Sequence, residues 1–154
     1  MSLTRQEVLT RIYRHFIEDA APRCAFDGKC RYSPTDEPGS DGCAIGCHLP
    51  PEVATFIDTH LNDPTVGHLL SYASPIPRDF KDQTATPALL ATAREMRRRI
   101  DDILNPADIS FYTDLQYWHD WNIKRCASVS DRLAYLAHIA ITYDLTLPTE
   151  GDPA

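Results

Sequence analysis

The spacing of apolar residues along the chain predicts a mainly α-helical protein, with about six helices around one core. The first helix has the clearest signal, because Thr4 and Glu7 are spaced as a capping box in which each side chain binds a backbone amide at the helix start. Leu3 and Val8 occupy the positions of a hydrophobic staple around this box. Further apolar residues fall on one face at helical spacing, and they are Leu9, Ile12, Tyr13, Phe16 and Ile17.

Capping residues and prolines predict where the later helices begin. The predicted starts are Pro51, Asp63-Pro64, Thr86-Pro87, Asp108, and Ser128 or Ser130. In the last helix, the residues predicted to face the core are Leu133, Leu136, Ala137, Ala140 and Ile141. The helix after Thr86 contains three consecutive arginines, Arg97, Arg98 and Arg99. The first two each have an aspartate four residues later, a spacing that predicts intrahelical ion pairs and a solvated face.

The segment 23–49 differs from the rest, since it holds four of the five cysteines and four of the six glycines and shows no helical period. Residues 30–33 and 42–45 predict two short strands, and the polar residues 34–41 predict a loop between them. We therefore expect a small two-stranded β-hairpin near residues 30–46. No internal repeat or low-complexity block is found, which predicts a single globular domain at 1–147 and a disordered tail at 148–154.

The net charge of −7 on 154 residues restricts the partners of the chain. An acidic surface repels nucleic acid and anionic membranes, so we do not expect direct binding to nucleic acid, whereas docking on a basic patch of another protein is permitted. No apolar run reaches transmembrane length, and the N-terminal residues lack the apolar core of a signal peptide. We expect a cytoplasmic protein whose cysteines are reduced thiols or metal ligands.

A zinc site is one hypothesis for the cysteine-rich segment, because thiolate and imidazole are the ligands that zinc prefers. The candidate ligands are Cys24, Cys30, Cys43, Cys47 and His48. Structural zinc sites usually supply ligands as close pairs such as C-x-x-C, whereas here five residues separate the first two cysteines and three separate the next two. The favoured alternative is that Cys43 and Cys47 bind no cofactor and fill space as small buried residues.

A catalytic cysteine is a second hypothesis, since a nucleophilic thiol needs a base within hydrogen-bond reach, often oriented by a carboxylate. Cys43 is the candidate nucleophile, with His119 or His48 as its base. Asp120 directly follows His119, and adjacent side chains on a helix point about 100° apart, so this carboxylate is poorly placed to orient the ring. No oxyanion-hole motif is recognised in the sequence.

Four aromatic residues are candidates for binding a partner. Tyr117, Trp118 and Trp121 form a cluster in the predicted fifth helix, and Tyr32 lies in the predicted hairpin. Packing in the core is the usual role of such residues, and an exposed patch that contacts another protein is the alternative.

Residues 43–50, Cys-Ala-Ile-Gly-Cys-His-Leu-Pro, resemble an uncharacterised family of small proteins of phages and mobile elements. Members carry a cysteine-x-tyrosine strand, a polar loop and then cysteine-alanine-isoleucine-glycine leading to leucine-proline, and residues 30–32 match the first part. The other residues that resemble the family are Asp114-Leu115-Gln116, His119-Asp120, Leu136, Ala140 and Leu145. His48 departs from the pattern, which has an apolar residue there; Cys24 has no counterpart, and residues 74–106 have no match.

The resemblance implies no activity, but a phage-type origin raises the expectation of a protein that acts on its host. The sequence also contains no complete catalytic constellation. Both observations favour a non-enzymatic interaction protein, such as a host-takeover or anti-defence factor, that binds a host or phage protein. A cysteine-dependent enzyme and a small zinc-stabilised module are the alternative hypotheses.

Overall fold

The computed structural model describes residues 2–18, 25–26, 29–33, 42–62, 64–71, 80–81, 86–125 and 128–149. The described residues form six α-helices, so the predicted, mainly helical fold class is confirmed. The helices are α1 (Arg5–Tyr13), α2 (Pro51–His60), α3 (Val66–Ser71), α4 (Pro87–Asp101), α5 (Ile109–Arg125) and α6 (Val129–Thr142). Short 3₁₀ turns lie at Gly46–His48, before α2, and at Pro106–Asp108, before α5. None of the helices in the described ranges is long and apolar enough to cross a membrane.

The first helix begins at the predicted capping box. Thr4 accepts a hydrogen bond from the amide of Glu7 at 3.2 Å, and the Glu7 carboxylate accepts one from the amide of Thr4 at 2.7 Å. Asp108 ends the 3₁₀ turn directly before α5, at the predicted cap position, and its carboxylate pairs with Arg5 at 2.6 Å. This ion pair joins the start of α1 to the start of α5.

The predicted caps of α4 and α6 are also found. Thr86 accepts a hydrogen bond from the amide of Leu89 at 3.2 Å. Ser128, rather than Ser130, starts α6 and forms a capping box with Asp131. Asp63, the predicted cap of α3, lies outside the described residues.

The first helix continues into one turn of π-helix at Arg14–Glu18. This wider turn places Phe16 in the core, where its ring packs against Trp118 with centroids 6.0 Å apart and against His119 with centroids 5.0 Å apart. Isolated π-helical turns are rare and occur frequently at functional sites. The predicted apolar face of α1 includes Phe16, but its spacing does not reveal the change of helix type.

The predicted hairpin between residues 30–33 and 42–45 is wrong. A two-residue antiparallel ladder joins Ala25–Phe26 to Lys29–Cys30 instead, and residues 44–48 form a turn followed by a 3₁₀ turn. The physical reason lies in α2, because the Asp58 carboxylate accepts hydrogen bonds from the amides of Tyr32 and Ser33 at 3.0 and 2.7 Å. Those amides are therefore not available to a hairpin ladder. The predicted loop at 34–41 lies outside the described residues.

The core surrounds α5, which packs against α3 on one side and α6 on the other, while α2 packs against α4. Its largest fully buried side chains include Trp118, Tyr112, Phe111 and Leu115 of α5, with Leu9 and Ile12 of α1 and Leu136 of α6. The 42–50 segment contributes Cys43, Ala44 and Ile45, each 0% exposed. The cysteine-rich segment is thus part of the core through these three residues.

The C-terminal segment returns to the first helix. Gln6 and Thr146 exchange two hydrogen bonds of 2.8 and 3.0 Å. Pro148, placed by the sequence in a disordered tail, is buried, and residues 150–154 lie outside the described part of the chain.

Candidate functional site

The two described cysteine side chains bind backbone groups of their own turn. The Sγ atom of Cys43 accepts a hydrogen bond from the amide of Gly46 at 3.3 Å, and the Cys47 thiol donates one to the carbonyl of Ala44 at 3.4 Å. Burial and, to a smaller extent, the neighbouring Cys43 raise the pKa of Cys47 to about 12. The Cys47 thiol is therefore protonated at neutral pH and is a poor nucleophile.

His48 ends the same turn as a buried, neutral imidazole. Its side chain is 7% exposed, and neither ring nitrogen has a hydrogen-bond partner among the described residues. Burial and, to a smaller extent, the nearby Arg11 and His15 lower the pKa of His48 to about 3. A base with so low a pKa does not take a proton from a thiol near pH 7, so His48 does not fit the role of catalytic base.

His119 lies on α5 and is buried against the π turn, since 3% of the residue is exposed and its ring packs edge-on against Phe16. Its Nδ1 atom is 3.4 Å from the Oδ1 atom of Asp120, a contact at the outer limit of a hydrogen bond. The neighbours therefore approach each other despite the angle between their side chains. Cys43, the candidate nucleophile, is 0% exposed, so no substrate reaches its thiol without a conformational change.

The zinc hypothesis falls partly outside the described residues. Cys24 is not among the described residues. Of Cys30, only the backbone is described, as part of the short ladder. Within the described part of the chain, no three His, Cys, Asp or Glu side chains are grouped so that they could hold a metal ion. The zinc site stays a prediction.

The four aromatic binding candidates divide into two buried and two at the surface. Tyr32 is 4% exposed and donates a hydrogen bond to the carbonyl of Pro64 at 2.7 Å, and Trp118 is 2% exposed and donates to the carbonyl of Arg132 at 3.0 Å. Neither ring is presented to a partner. Tyr117 is 53% exposed and stacks on the half-buried Trp121, with ring centroids 5.9 Å apart.

A second apolar surface lies on α6. We call its exposed residues Ala134, Tyr135, His138 and Ile141 the α6 face. Ile141 is 78% exposed and Tyr135 38% exposed, and Val129 at the start of the helix is 47% exposed. From residue 133 to residue 142 the helix carries no Asp, Glu, Lys or Arg. This surface combines exposed aliphatic and aromatic side chains with an absence of charge, which is the composition of the centre of a protein–protein interface.

The exposed face of α4 provides the opposite case in the same molecule. Arg98 forms ion pairs with Glu95 at 2.7 Å and with Asp102 at 3.0 Å, all on the exposed side of the helix. Such a face is solvated and has no need of a partner. The absence of charged side chains from the α6 face is therefore not a general property of the exposed helix surfaces in this molecule.

The α6 face was missed because the sequence interpretation placed Ile141 in the core. Ile141 follows the buried Leu136 by five residues, which puts it roughly 140° away around the helix. A signal was present, since nine of the 14 residues of α6 are apolar, more than one buried face can hold. Such an excess of apolar residues in a helix indicates either complete burial or an interface.

No family model, curated protein or solved structure matches the chain. The resemblance of residues 30–32 and 43–50 to a family of phage proteins therefore stays a prediction.

Proposed function

We propose that this chain is a non-enzymatic interaction protein that binds a partner protein through the α6 face. The observation that carries the proposal is the exposure of Tyr135 and Ile141 on a helix face without charged residues. Full burial of an Ile side chain is worth roughly 1.5–3 kcal/mol, and at 78% exposure Ile141 leaves most of this stabilisation to be gained on binding. Tyr135 adds an aromatic ring, a residue type enriched in interfaces.

The chemistry of Cys47 and His48 supports a binding role over catalysis by this adjacent pair. Cys47 has a pKa of about 12, and the adjacent His48 has a pKa of about 3. A thiol and imidazole that exchange a proton near neutral pH need pKa values close to each other, as in an activated cysteine–histidine pair. Here the pKa of the thiol is raised and the pKa of the imidazole is lowered, so the two values lie far apart.

The partner class follows from the resemblance and from the net charge of −7. We propose a host or phage protein in the cytoplasm, bound by a host-takeover or anti-defence factor. Nucleic acid is disfavoured because an acidic chain lacks the basic surface that phosphate contacts require.

A photo-crosslinking experiment tests the proposal. The residue p-benzoylphenylalanine is placed at position 141 and, as a matched control, at the exposed position Ala91 of α4. We expect one discrete adduct from position 141 in host cells, none from position 91, and loss of the adduct when Tyr135→Asp is added. Equal adducts at both positions, or none at position 141, would overturn the proposal. An adduct with twice the mass of the chain would make the α6 face a dimer interface, and would also overturn it.

A further inference from the structure

Carboxylates lie at both ends of the α6 face. Asp131 is exposed in the first turn of α6, and Asp144 is exposed immediately after its end, where it adopts a positive φ of 53°. Asp114 of α5 lies near the same end but on the other side of the helix, because its carboxylate accepts a hydrogen bond of 2.7 Å from the hydroxyl of Tyr143, which is about 200° around α6 from Ile141. The uncharged face is thus bounded by one carboxylate at its start and one at its end, and a second carboxylate lies near that end on the other side of the helix.

Two described cations lie near the ends of α6, and both are engaged elsewhere. Arg5 lies 5.5 Å from the centre of the Tyr143 ring, and its guanidinium pairs with Asp108 at 2.6 Å. Arg132 is half-buried, and its guanidinium donates a hydrogen bond of 3.1 Å to the carbonyl of Phe16 in the π turn. Its charge is therefore directed toward the interior, away from the α6 face.

The dimensions of this surface fit one helix. Asp131 and Asp144 are 13 residues apart, which corresponds to about 20 Å along a helix axis. A partner helix of about four turns, laid along α6, would contact the apolar centre with its middle turns and reach the carboxylates with its ends.

We infer that the segment recognised by the α6 face is an amphipathic helix with an apolar stripe and with lysine or arginine at both ends. This inference rests on the proposed function and adds the chemistry of the partner. The apolar centre supplies the area buried on binding, while the carboxylates select the partner by charge. An acidic helix meets repulsion at both ends, and a nucleic acid or anionic lipid surface meets the same repulsion.

Three synthetic 16-residue peptides with a fluorescent label serve as probes for the full chain, by fluorescence anisotropy. The first has leucines on one helical face and lysines at both ends. The second has glutamates in place of the lysines, and the third keeps the lysines but has serines in place of the leucines. We expect the first peptide to bind at least tenfold more tightly than either of the others, and to weaken as the salt concentration rises.

Variants of the protein test which carboxylates cause the preference for the lysine peptide over the glutamate peptide. The double variant Asp114→Asn, Asp144→Asn should reduce the preference for lysine over glutamate peptides severalfold. Asparagine keeps an acceptor for Tyr143 and tolerates the positive φ at position 144. The matched control, Glu95→Gln with Asp102→Asn, removes two exposed carboxylates from α4 and should leave that preference unchanged.

Equal binding of the lysine and glutamate peptides would overturn the inference, and so would an equal effect of the α4 control variant. If position 141 still forms its adduct in cells, the proposed function stands while the inferred charge pattern falls. If neither peptide binds and no adduct forms, both fall.

Discussion

Gly46 lies directly against the main chain of Tyr32. A Cβ atom on Gly46 would come within 2.0 Å of the Tyr32 carbonyl oxygen and 2.7 Å of its Cα atom. The neighbouring Cys43 amide donates a hydrogen bond of 2.9 Å to the carbonyl of Arg31. The 42–50 turn and residues 31–33 therefore pack backbone to backbone, with no room for a side chain between them.

Replacing Gly46 by alanine should destabilise the protein by about 3 kcal/mol or more, because backbone atoms on both sides must move to admit the methyl group. Urea unfolding of the full chain measures the effect. Gly67 in α3 is the matched control, since a Cβ there meets only the Thr65 hydroxyl oxygen at 3.5 Å. Gly67→Ala should raise stability by roughly 0.5–1 kcal/mol through helix propensity. Similar effects of both substitutions would contradict the close approach.

Asp58 of α2 fixes residues 31–33 by hydrogen bonds to Tyr32 and Ser33. Its carboxylate accepts hydrogen bonds from the Tyr32 amide at 3.0 Å, the Ser33 amide at 2.7 Å and the Ser33 hydroxyl at 2.6 Å. Hydrogen bonds to a charged group contribute about 1.5–3 kcal/mol, so Asp58→Ala should lower the free energy of unfolding by roughly 2–4 kcal/mol. Thr59→Ala, an exposed change one residue later, should stay within about 0.5 kcal/mol. Equal losses would mean that the carboxylate does not fix the segment.

Local sequence signals predicted the helices well, and long-range contacts set the limits of that prediction. The Thr4–Glu7 capping box depends on residues three apart, and the Arg97–Asp101 ion pair, at 2.8 Å, on residues four apart. Asp58, in contrast, is 26 residues from Tyr32, and its removal of the Tyr32 amide from a hairpin has no local signal.

The candidate site also has one feature with a local sequence signal and others that depend on long-range contacts. The exclusion of charge from residues 133–142 is visible in the sequence. Whether this uncharged stretch is buried or exposed depends on which of its apolar residues the other helices cover. The sequence interpretation wrongly assigned Ile141 to the buried face. His48 lies close enough to Arg11 of α1 and His15 of the π turn for their charges to lower its pKa, a proximity that no sequence spacing indicated.

His48 should make stability fall in acid. Its folded pKa is about 3 against an ordinary value of 6.5, because burial and the neighbouring Arg11 and His15 disfavour the cation. Between these values the unfolded chain binds a proton that the folded protein does not, so the free energy of unfolding falls as the pH decreases, by up to about 1.4 kcal/mol per unit. Well above pH 6.5 both states are neutral and His48 contributes no slope.

The variant His48→Leu isolates this effect from the titration of the carboxylates. The difference in unfolding free energy between wild type and variant should be constant above about pH 7 and should shift against the wild type from pH 6 to pH 4. Urea unfolding at each pH gives this difference. A difference that does not change with pH would show that His48 is not buried as a neutral ring.

Cys47 should react slowly with alkylating reagents. Raising the pKa of a thiol from 9.0 to about 12 lowers the fraction of reactive thiolate near pH 7.5 by about a thousandfold, and burial further restricts access. Iodoacetamide labelling, followed by peptide mass spectrometry, should modify Cys47 at least a hundredfold more slowly in the native protein than in concentrated urea. Rapid native labelling of Cys47 would instead revive the cysteine-dependent enzyme as an explanation.

Ile139 and Ile141, two residues apart on α6, should separate the core from the binding surface. Ile139 is 3% exposed, so Ile139→Ala should cost roughly 2–4 kcal/mol of stability. Ile141 is 78% exposed, so Ile141→Ala should change stability by less than about 0.5 kcal/mol. The same substitution should lower the affinity for the lysine peptide severalfold. Urea unfolding and anisotropy measure the two effects. If Ile141→Ala left the affinity unchanged, the most exposed apolar side chain of the α6 face would have no part in binding, and the interface would have to lie elsewhere.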